Sequence, residues 1–306
     1  MSVVSSRVKT LIIGSRGSHL ALWQANHIAS RLAGLGVETR IEIIRTTGDH
    51  LQTASLVQAG GKGLFTKEIE DALLNRTIDL AVHSLKDLPT DNPDGLTIAA
   101  VPEREDPRDA MVGCTLSELK PGARVGTSSG RRGAQLLNLR PDLMVEPIRG
   151  NVDTRLRKQK EGQFDAIMLA AAGLRRLGLE REITQVFTSD EICPAPGQGA
   201  LAIQTRTEDA ALEICSVLND PKTAECVRCE RSVLAALGGG CQLPVGAFAE
   251  ADDESLHVRA IALSLDGKRA VRKEMIGPKQ NPEQVGALVA GELLRAGAGS
   301  ILSSER

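Results

Sequence analysis

Along the first two-thirds of the chain, the hydrophobic and polar positions alternate between two periods. Short apolar, β-branched runs read as buried strands: "VKTLIIG" (8–14), "ETRIEIIRT" (38–46) and "IDLAVHS" (78–84). Between them, apolar residues recur every three or four positions in "SHLALWQANHIASRLAGLG", from Ser18, and in "LFTKEIEDALLNR". That spacing is the one an amphipathic helix needs to bury a single face. The resulting β-α-β-α-β order predicts a largely parallel sheet with helices on both faces.

The stretch "PEREDPRDA" (102–110) is charged, carries two prolines and interrupts the pattern, so it reads as a crossover. A second α/β series follows: "ARVGT", a helix from about Arg131, "LMVEPI", a helix after Asn151, and "DAIMLA". A second Pro/Gly crossover, "CPAPGQGALAIQTR" (193–206), leads into another strand. The last third differs: a helix, "TAECVRCERSVLAAL", precedes strands near 245–250 and 256–264 and a closing helix, "NPEQVGALVAGELLRAG". The expected fold is two similar α/β lobes joined by two crossovers, plus a smaller C-terminal α+β domain. We expect the first lobe to take 1–102 with 198–219, the second 103–197, and the last domain 220–306. Ligands of such folds bind between the lobes, at the carboxyl ends of the strands.

Composition narrows the function. With 306 residues the chain has room for two or three cores. A net charge of −2 argues against a polyanion-coating surface, and one Trp, four Phe and no Tyr leave too few rings to stack nucleobases. No signal-peptide pattern opens the sequence, and the longest apolar run, "AIMLAAAGL", is far too short to span a bilayer. A cytoplasmic protein is expected, with its six irregularly spaced cysteines mostly free thiols.

Candidate chemistry concentrates at strand-to-helix junctions. "GSRGSH" presents Ser15, Arg16 and Ser18; "GTSSGRRG" presents Thr127, Ser128, Ser129, Arg131 and Arg132; "IRGNVDTRLR" presents Arg149 and Arg155, with Asn151 as N-cap. Any one junction reads first as helix capping, because Ser and Asn are simply good caps. Three that carry arginine point to a ligand with several carboxylates or phosphates. "GGKGLFTKE" is not a phosphate loop, because Leu56 and Gly63 stand where glycine and a hydroxyl are needed. It reads as a loop that covers a cleft or as a plain connection. In "HSLKDLPT", Asp87 is either half of an ion pair with Lys86 or a carboxylate at the site mouth; spacing alone favours the pair. Cys226 and Cys229 fall within a helical pattern without two further ligands at zinc spacing, so they read as structural, and no metal is expected.

Taken together, "SRGSHLALWQA", "GGKGLFTKE", "AVHSLKDLPT", "EREDPRDA", "VGTSSGRRGAQL", "IRGNVDTRL", "AAAGLRRLG", "PGQGAL" and "GGGCQLPVGA" resemble the porphobilinogen deaminase family nearly end to end. The resemblance implies two periplasmic-binding-protein-like lobes and a covalent dipyrromethane cofactor on Cys241. Glycines 238 to 240 would thin the backbone for a pyrrole to approach. It further implies that four porphobilinogen units are deaminated and joined head to tail, then released as hydroxymethylbilane. Asp87 matches the catalytic aspartate. Lys86, Ser84, Thr127, Ser129, Arg131, Arg132, Arg155 and Gly199 match cofactor contacts. Arg16, Ser18, Ser128, Arg149, Arg155, Arg176 and Gln198 match substrate contacts. A monomer acting on a small molecule, with neither nucleic acid nor membrane as partner, is implied. The chain departs from the family pattern at Gln58, Gly130 and Pro196.

Two other classes compete. A two-lobed anion receptor would use the same lobes, but needs neither the third domain nor Cys241. A thiol hydrolase built on Cys241 would need a base, and His257 is the nearest downstream histidine, with no supporting motif.

Overall fold

Each lobe is built around a five-stranded sheet that holds one strand delivered by a crossover from the other lobe. The computed structural model describes residues 10–47, 66–239 and 243–305. The chain begins with β1 (Leu11–Ser15), α1 (His19–Ala33), β2 (Thr39–Ile43), α2 (Lys67–Leu74), β3 (Leu80–Ser84) and β4 (Leu96–Ala100). After the first crossover come β5 (Asp109–Val112), β6 (Arg124–Gly126), α3 (Gly130–Leu139), β7 (Met144–Glu146), α4 (Val152–Lys160), β8 (Ala166–Ala170), α5 (Ala171–Arg176) and β9 (Ile183–Val186). The second crossover returns the chain to β10 (Leu201–Arg206) and α6 (Ala210–Ser216).

The first sheet has the order β2-β1-β3-β10-β4 and the second β7-β6-β8-β5-β9. The expected parallel pairing holds for β2, β1 and β3 and for β7, β6 and β8. Both sheets are nevertheless mixed, because β10 runs antiparallel to β3 and β4, and β5 antiparallel to β8 and β9. A strand followed by a covering helix and a neighbouring strand must pair in parallel, whereas β5 and β10 arrive from the other lobe without such a helix and are free of that constraint.

The C-terminal domain packs α7 (Pro221–Ala236), α8 (Pro282–Arg295) and α9 (Ala298–Ser303) on a meander of β11 (Val245–Ala251), β12 (Ser255–Leu263) and β13 (Ala270–Pro278). The third strand, β13, was not legible in the sequence: its burial alternates weakly and it lies at the sheet edge. Each lobe and the terminal domain has its own aliphatic core, typified by Ile13, Ile28 and Leu80, by Ile167 and Leu174, and by Val233, Val258 and Leu293. Full burial of each such side chain contributes about 1.5–3 kcal/mol.

One carboxylate ties the crossovers to the terminal domain. Glu230 of α7 is fully buried and receives both Nη atoms of Arg104 at 2.7 and 3.0 Å. It also accepts from the backbone N–H of Gly197 at 2.7 Å and of Ala249 at 2.9 Å. The first crossover, the second crossover and β11 thus meet on one side chain.

The end of α7 accounts for part of the glycine run. Gly239 N–H bonds Leu234 C=O and Gly238 N–H bonds Ala235 C=O, the pair of bonds that closes a helix on a left-handed residue. Gly238 and Gly239 have φ of 101° and 56°, where a side chain is strained. The expectation that all three glycines serve a pyrrole's approach is therefore corrected for Gly238, whose φ and hydrogen bond close α7. Gly240, Cys241 and the Gly-rich loop with Gln58 lie outside the described residues.

Candidate active site

The 3-10 turn Leu85–Asp87 follows β3 directly, so the strand end delivers Ser84, Lys86 and Asp87 together. Asp87 is exposed, whereas Leu85 anchors the turn in the core. Ser84, Asp87, Arg16, Ser18, Gln24, Thr66 and His83 all line one cavity of about 80 Å³. Ser18 caps α1 by accepting from Ala21 N–H, and Gln24 Nε2 donates to Ser84 Oγ at 2.8 Å. The ends of β1 and β3 therefore converge on one cavity, whereas the other two arginine-bearing junctions lie in the second lobe.

The second lobe contributes a denser cluster. Its centre is Asp109, at the start of β5 and fully buried. Arg131 donates to its two oxygens at 2.6 and 3.2 Å, and Arg132 Nε donates at 2.7 Å. Burial alone would raise the Asp109 carboxyl, but the two guanidinium groups outweigh it and hold the group well below the usual carboxylate range. Gln198, enclosed at the same spot, donates from Nε2 to Asp109 at 2.9 Å and to Pro107 C=O at 2.6 Å. Its Oε1 accepts from Arg132 at 3.1 Å and from Lys86 at 3.3 Å. Its amide is thus filled by protein partners, and it acts on Arg132 and Lys86, the latter carried by the other lobe.

Positive charge exceeds negative charge here. Burial and then the nearby Arg132 lower the Lys86 pKa to about 8. Arg155 is lowered to about 10 by burial and by Arg132 and Arg149. Burial is the larger cause for both groups, and the neighbouring guanidinium charges add to it. Arg131 adds a buried Nε with no hydrogen-bond partner among the described residues. Ser129 caps α3 and its N–H bonds Thr127 Oγ1, whereas Ser128 is exposed and donates to Ile148 C=O. Arg149 lies in the loop after β7, not at the strand end, and Arg155 donates to Gly150 C=O at 2.7 Å.

Arg176 sits apart from this cluster. It donates to Gly199 C=O at 2.7 Å and its guanidinium lies 5.7 Å from the Trp23 ring centroid, so it joins α5 to α1 and to the second crossover. Gly199 has φ of 86°, and a Cβ there would lie 2.3 Å from Glu105 C=O. Only glycine fits that crossover.

The C-terminal domain reaches the same turn. Arg231 of α7 donates to the carbonyls of Leu88, Pro89 and Thr90 at 3.2, 2.6 and 3.1 Å. A Cβ on Gly239 would lie 3.4 Å from Thr90 Oγ1, so Gly239, two positions before Cys241 in sequence, lies beside the segment that follows the Asp87 turn. Cys226 and Cys229 are buried in α7, and burial pushes both thiols up to about 12, as inert structural cysteines require.

Asp109 and Gln24 are not singled out in the sequence, and His83 is placed at the cleft only as the start of "HSLKDLPT", with no role given to it. Asp109 lies inside the quoted "EREDPRDA", which reads as a charged crossover and not as part of a site. His83 had a clearer signal: it is the polar residue in a strand, "LAVHS", that is otherwise buried and apolar up to Ser84.

Residues 11–214 match the family model for the porphobilinogen deaminase dipyromethane cofactor binding domain, and residues 224–295 match that for the porphobilinogen deaminase C-terminal domain. Curated relatives called porphobilinogen deaminase include one from Carboxydothermus hydrogenoformans, 46% identical over 97% of this chain and 98% of its own length. Another, from Thiobacillus denitrificans, is 49% identical over 96% and 98%. Among solved structures, an ABC transporter periplasmic substrate-binding protein from Coxiella burnetii aligns with a TM-score of 0.43 at 13% identity, covering 70% of this chain and 94% of that one.

Proposed function

The chain belongs to the porphobilinogen deaminase family of tetrapyrrole biosynthesis, and we propose that it is a hydroxymethylbilane synthase with Asp87 as its catalytic carboxylate. A dipyrromethane joined to Cys241 by a thioether would supply the pyrrole carbon from which the product chain grows.

The observation that carries this reading is the cationic surplus beside Asp87. Arg131, Arg132, Arg149, Arg155 and Lys86 lie together beside Asp87 and Asp109, and Arg131 keeps one buried N–H without a hydrogen-bond partner among the described residues. Each pyrrole of the cofactor or product carries two carboxylates, so the group fits the residues present. Guanidinium forks suit such carboxylates better than ammonium groups do. Thr127, Ser129 and Gly199 hold the backbone of this region, Ser84 and Ser128 add hydroxyls, and Arg16, Ser18 and Arg176 complete the first-lobe and crossover side. Asp87 remains exposed at the cavity mouth, where a carboxylate stabilises the positive charge that develops on a pyrrole as ammonia leaves. It can also accept the proton that the ring later gives up.

The same reading takes the chain as a cytoplasmic monomer acting on porphobilinogen alone; among the described residues no helix is long and apolar enough to cross a membrane. Intact mass and turnover test it together. The active protein should be heavier than its sequence by one dipyrromethane, with the excess lost in Cys241→Ser. Asp87→Asn should keep the added mass and lose about 10²-fold or more in kcat. An active protein of unmodified mass, or an Asp87→Asn enzyme with most of its turnover, overturns the proposal.

A further inference from the structure

Beneath the Asp87 cavity runs a chain of buried polar side chains: Thr66, Glu70, Gln204 and His83. Thr66 Oγ1 donates to Glu70 Oε2 at 3.4 Å, and Gln204 Nε2 donates to Glu70 Oε1 at 3.2 Å. The carboxylate can only accept, so it turns the Gln204 amide until its oxygen faces His83. That oxygen lies 3.0 Å from His83 Nε2. An amide oxygen is also only an acceptor, so His83 must carry its proton on Nε2. The ring nitrogen left over is Nδ1, a lone pair that meets no donor among the described residues, on a residue that lines the cavity with Asp87 and Ser84.

From this geometry we infer that His83 is a further catalytic residue, its neutral Nδ1 accepting a hydrogen bond from the aminomethyl nitrogen of porphobilinogen and aligning the C–N bond that breaks. The inference rests on the Asp87 cavity being the site of deamination. Burial pulls the His83 pKa down to about 4, the Gln204 bond opposing and the Arg16 charge reinforcing this, so the ring stays uncharged at neutral pH. The chemistry calls for such an acceptor. When R–CH2–NH3+ breaks, the C–N electron pair leaves with nitrogen as neutral ammonia and the positive charge passes to the pyrrole. A carboxylate at the nitrogen would bind the ammonium more tightly than the ammonia it becomes, and so would oppose cleavage. A neutral lone pair loses far less across the step, while Asp87 gains as charge arrives on the ring. One neutral and one anionic acceptor in the same cavity therefore match the two ends of the charge movement.

Two substitutions separate this role from a purely structural one. Asparagine can present a polar atom near the position of Nδ1, and glutamine one near Nε2. His83→Asn should retain kcat within about tenfold, whereas His83→Gln, which keeps the Gln204 tether, should lose on the order of 10²-fold in single-turnover ammonia release with KM changed less than threefold. Equal activity in both variants, equal loss in both with cofactor still attached, or the reverse order overturns the inference. Should either variant fail to fold, 15N spectra of the histidine-labelled wild-type holoenzyme decide. A proton on Nε2 is expected, and one on Nδ1 refutes the assignment. Asp87→Asn is measured alongside: its activity would remove the underlying reading, whereas an inactive Asp87→Asn beside a fully active His83→Gln removes only this one.

Discussion

Replacing Asp109 by asparagine keeps the side chain's shape and deletes one negative charge from beneath two arginines. Arg131 and Arg132 are buried, and Asp109 is their only carboxylate partner among the described residues. Removing one member of a buried pair costs about 3–5 kcal/mol, because the charge left behind has neither water nor counter-ion. A chain of 306 residues melting as one unit has an unfolding entropy of about 0.6 kcal/mol/K, so the loss corresponds to about 5–8 °C in Tm. The pH dependence follows from sign. The folded Asp109 carboxyl titrates below its unfolded value of about 3.9, so its contribution is complete above that pH and fades only as pH falls further. Calorimetry of the wild-type and Asp109→Asn holoenzymes from pH 8 to pH 4 should therefore give a constant gap in Tm. A buried pair is poorly screened, so the gap should survive 0.5 M salt, a concentration of the order that collapses surface pairs. A Tm drop under about 1 °C at pH 7, or a gap that closes between pH 7 and 5, would refute the reasoning.

Glu230→Gln should lower the urea midpoint by an amount equivalent to about 3–5 kcal/mol, since it strands Arg104 and weakens the bonds to Gly197 and Ala249; an unchanged midpoint would mean that the crossovers hold the terminal domain without it. Lys86, lowered to about 8, should lose its charge as pH rises through that value, so KM for porphobilinogen should climb between pH 7 and 9. Lys86→Arg, which stays protonated, should flatten the climb, and an identical rise in both enzymes would remove Lys86 from carboxylate binding.

How far the sequence reached depended on the range of the interaction. Apolar periodicity located β1, β3, β8 and the long helices because one buried face is a local property of each segment. Junction residues such as Ser18 and Ser129 were legible for the same reason, as a cap bonds N–H groups only a few positions away. Sheet direction was not local. Antiparallel β5 and β10 follow from which lobe each crossover enters, and nothing in "DAMV" or "LAIQTR" encodes the neighbour. The site shows the same division. Arg131 and Arg132 could be picked out as anion ligands from their spacing, but Asp109, more than twenty positions earlier, gave no sign that it would meet them. Gln198 sits on a Pro/Gly crossover, and only folding encloses it between Lys86, Arg132 and Asp109. Periodicity and capping follow from bonds within a few residues, so the chain carries them in plain order. Partners for buried charge are chosen by where distant segments come to rest, and the tertiary structure alone decides that.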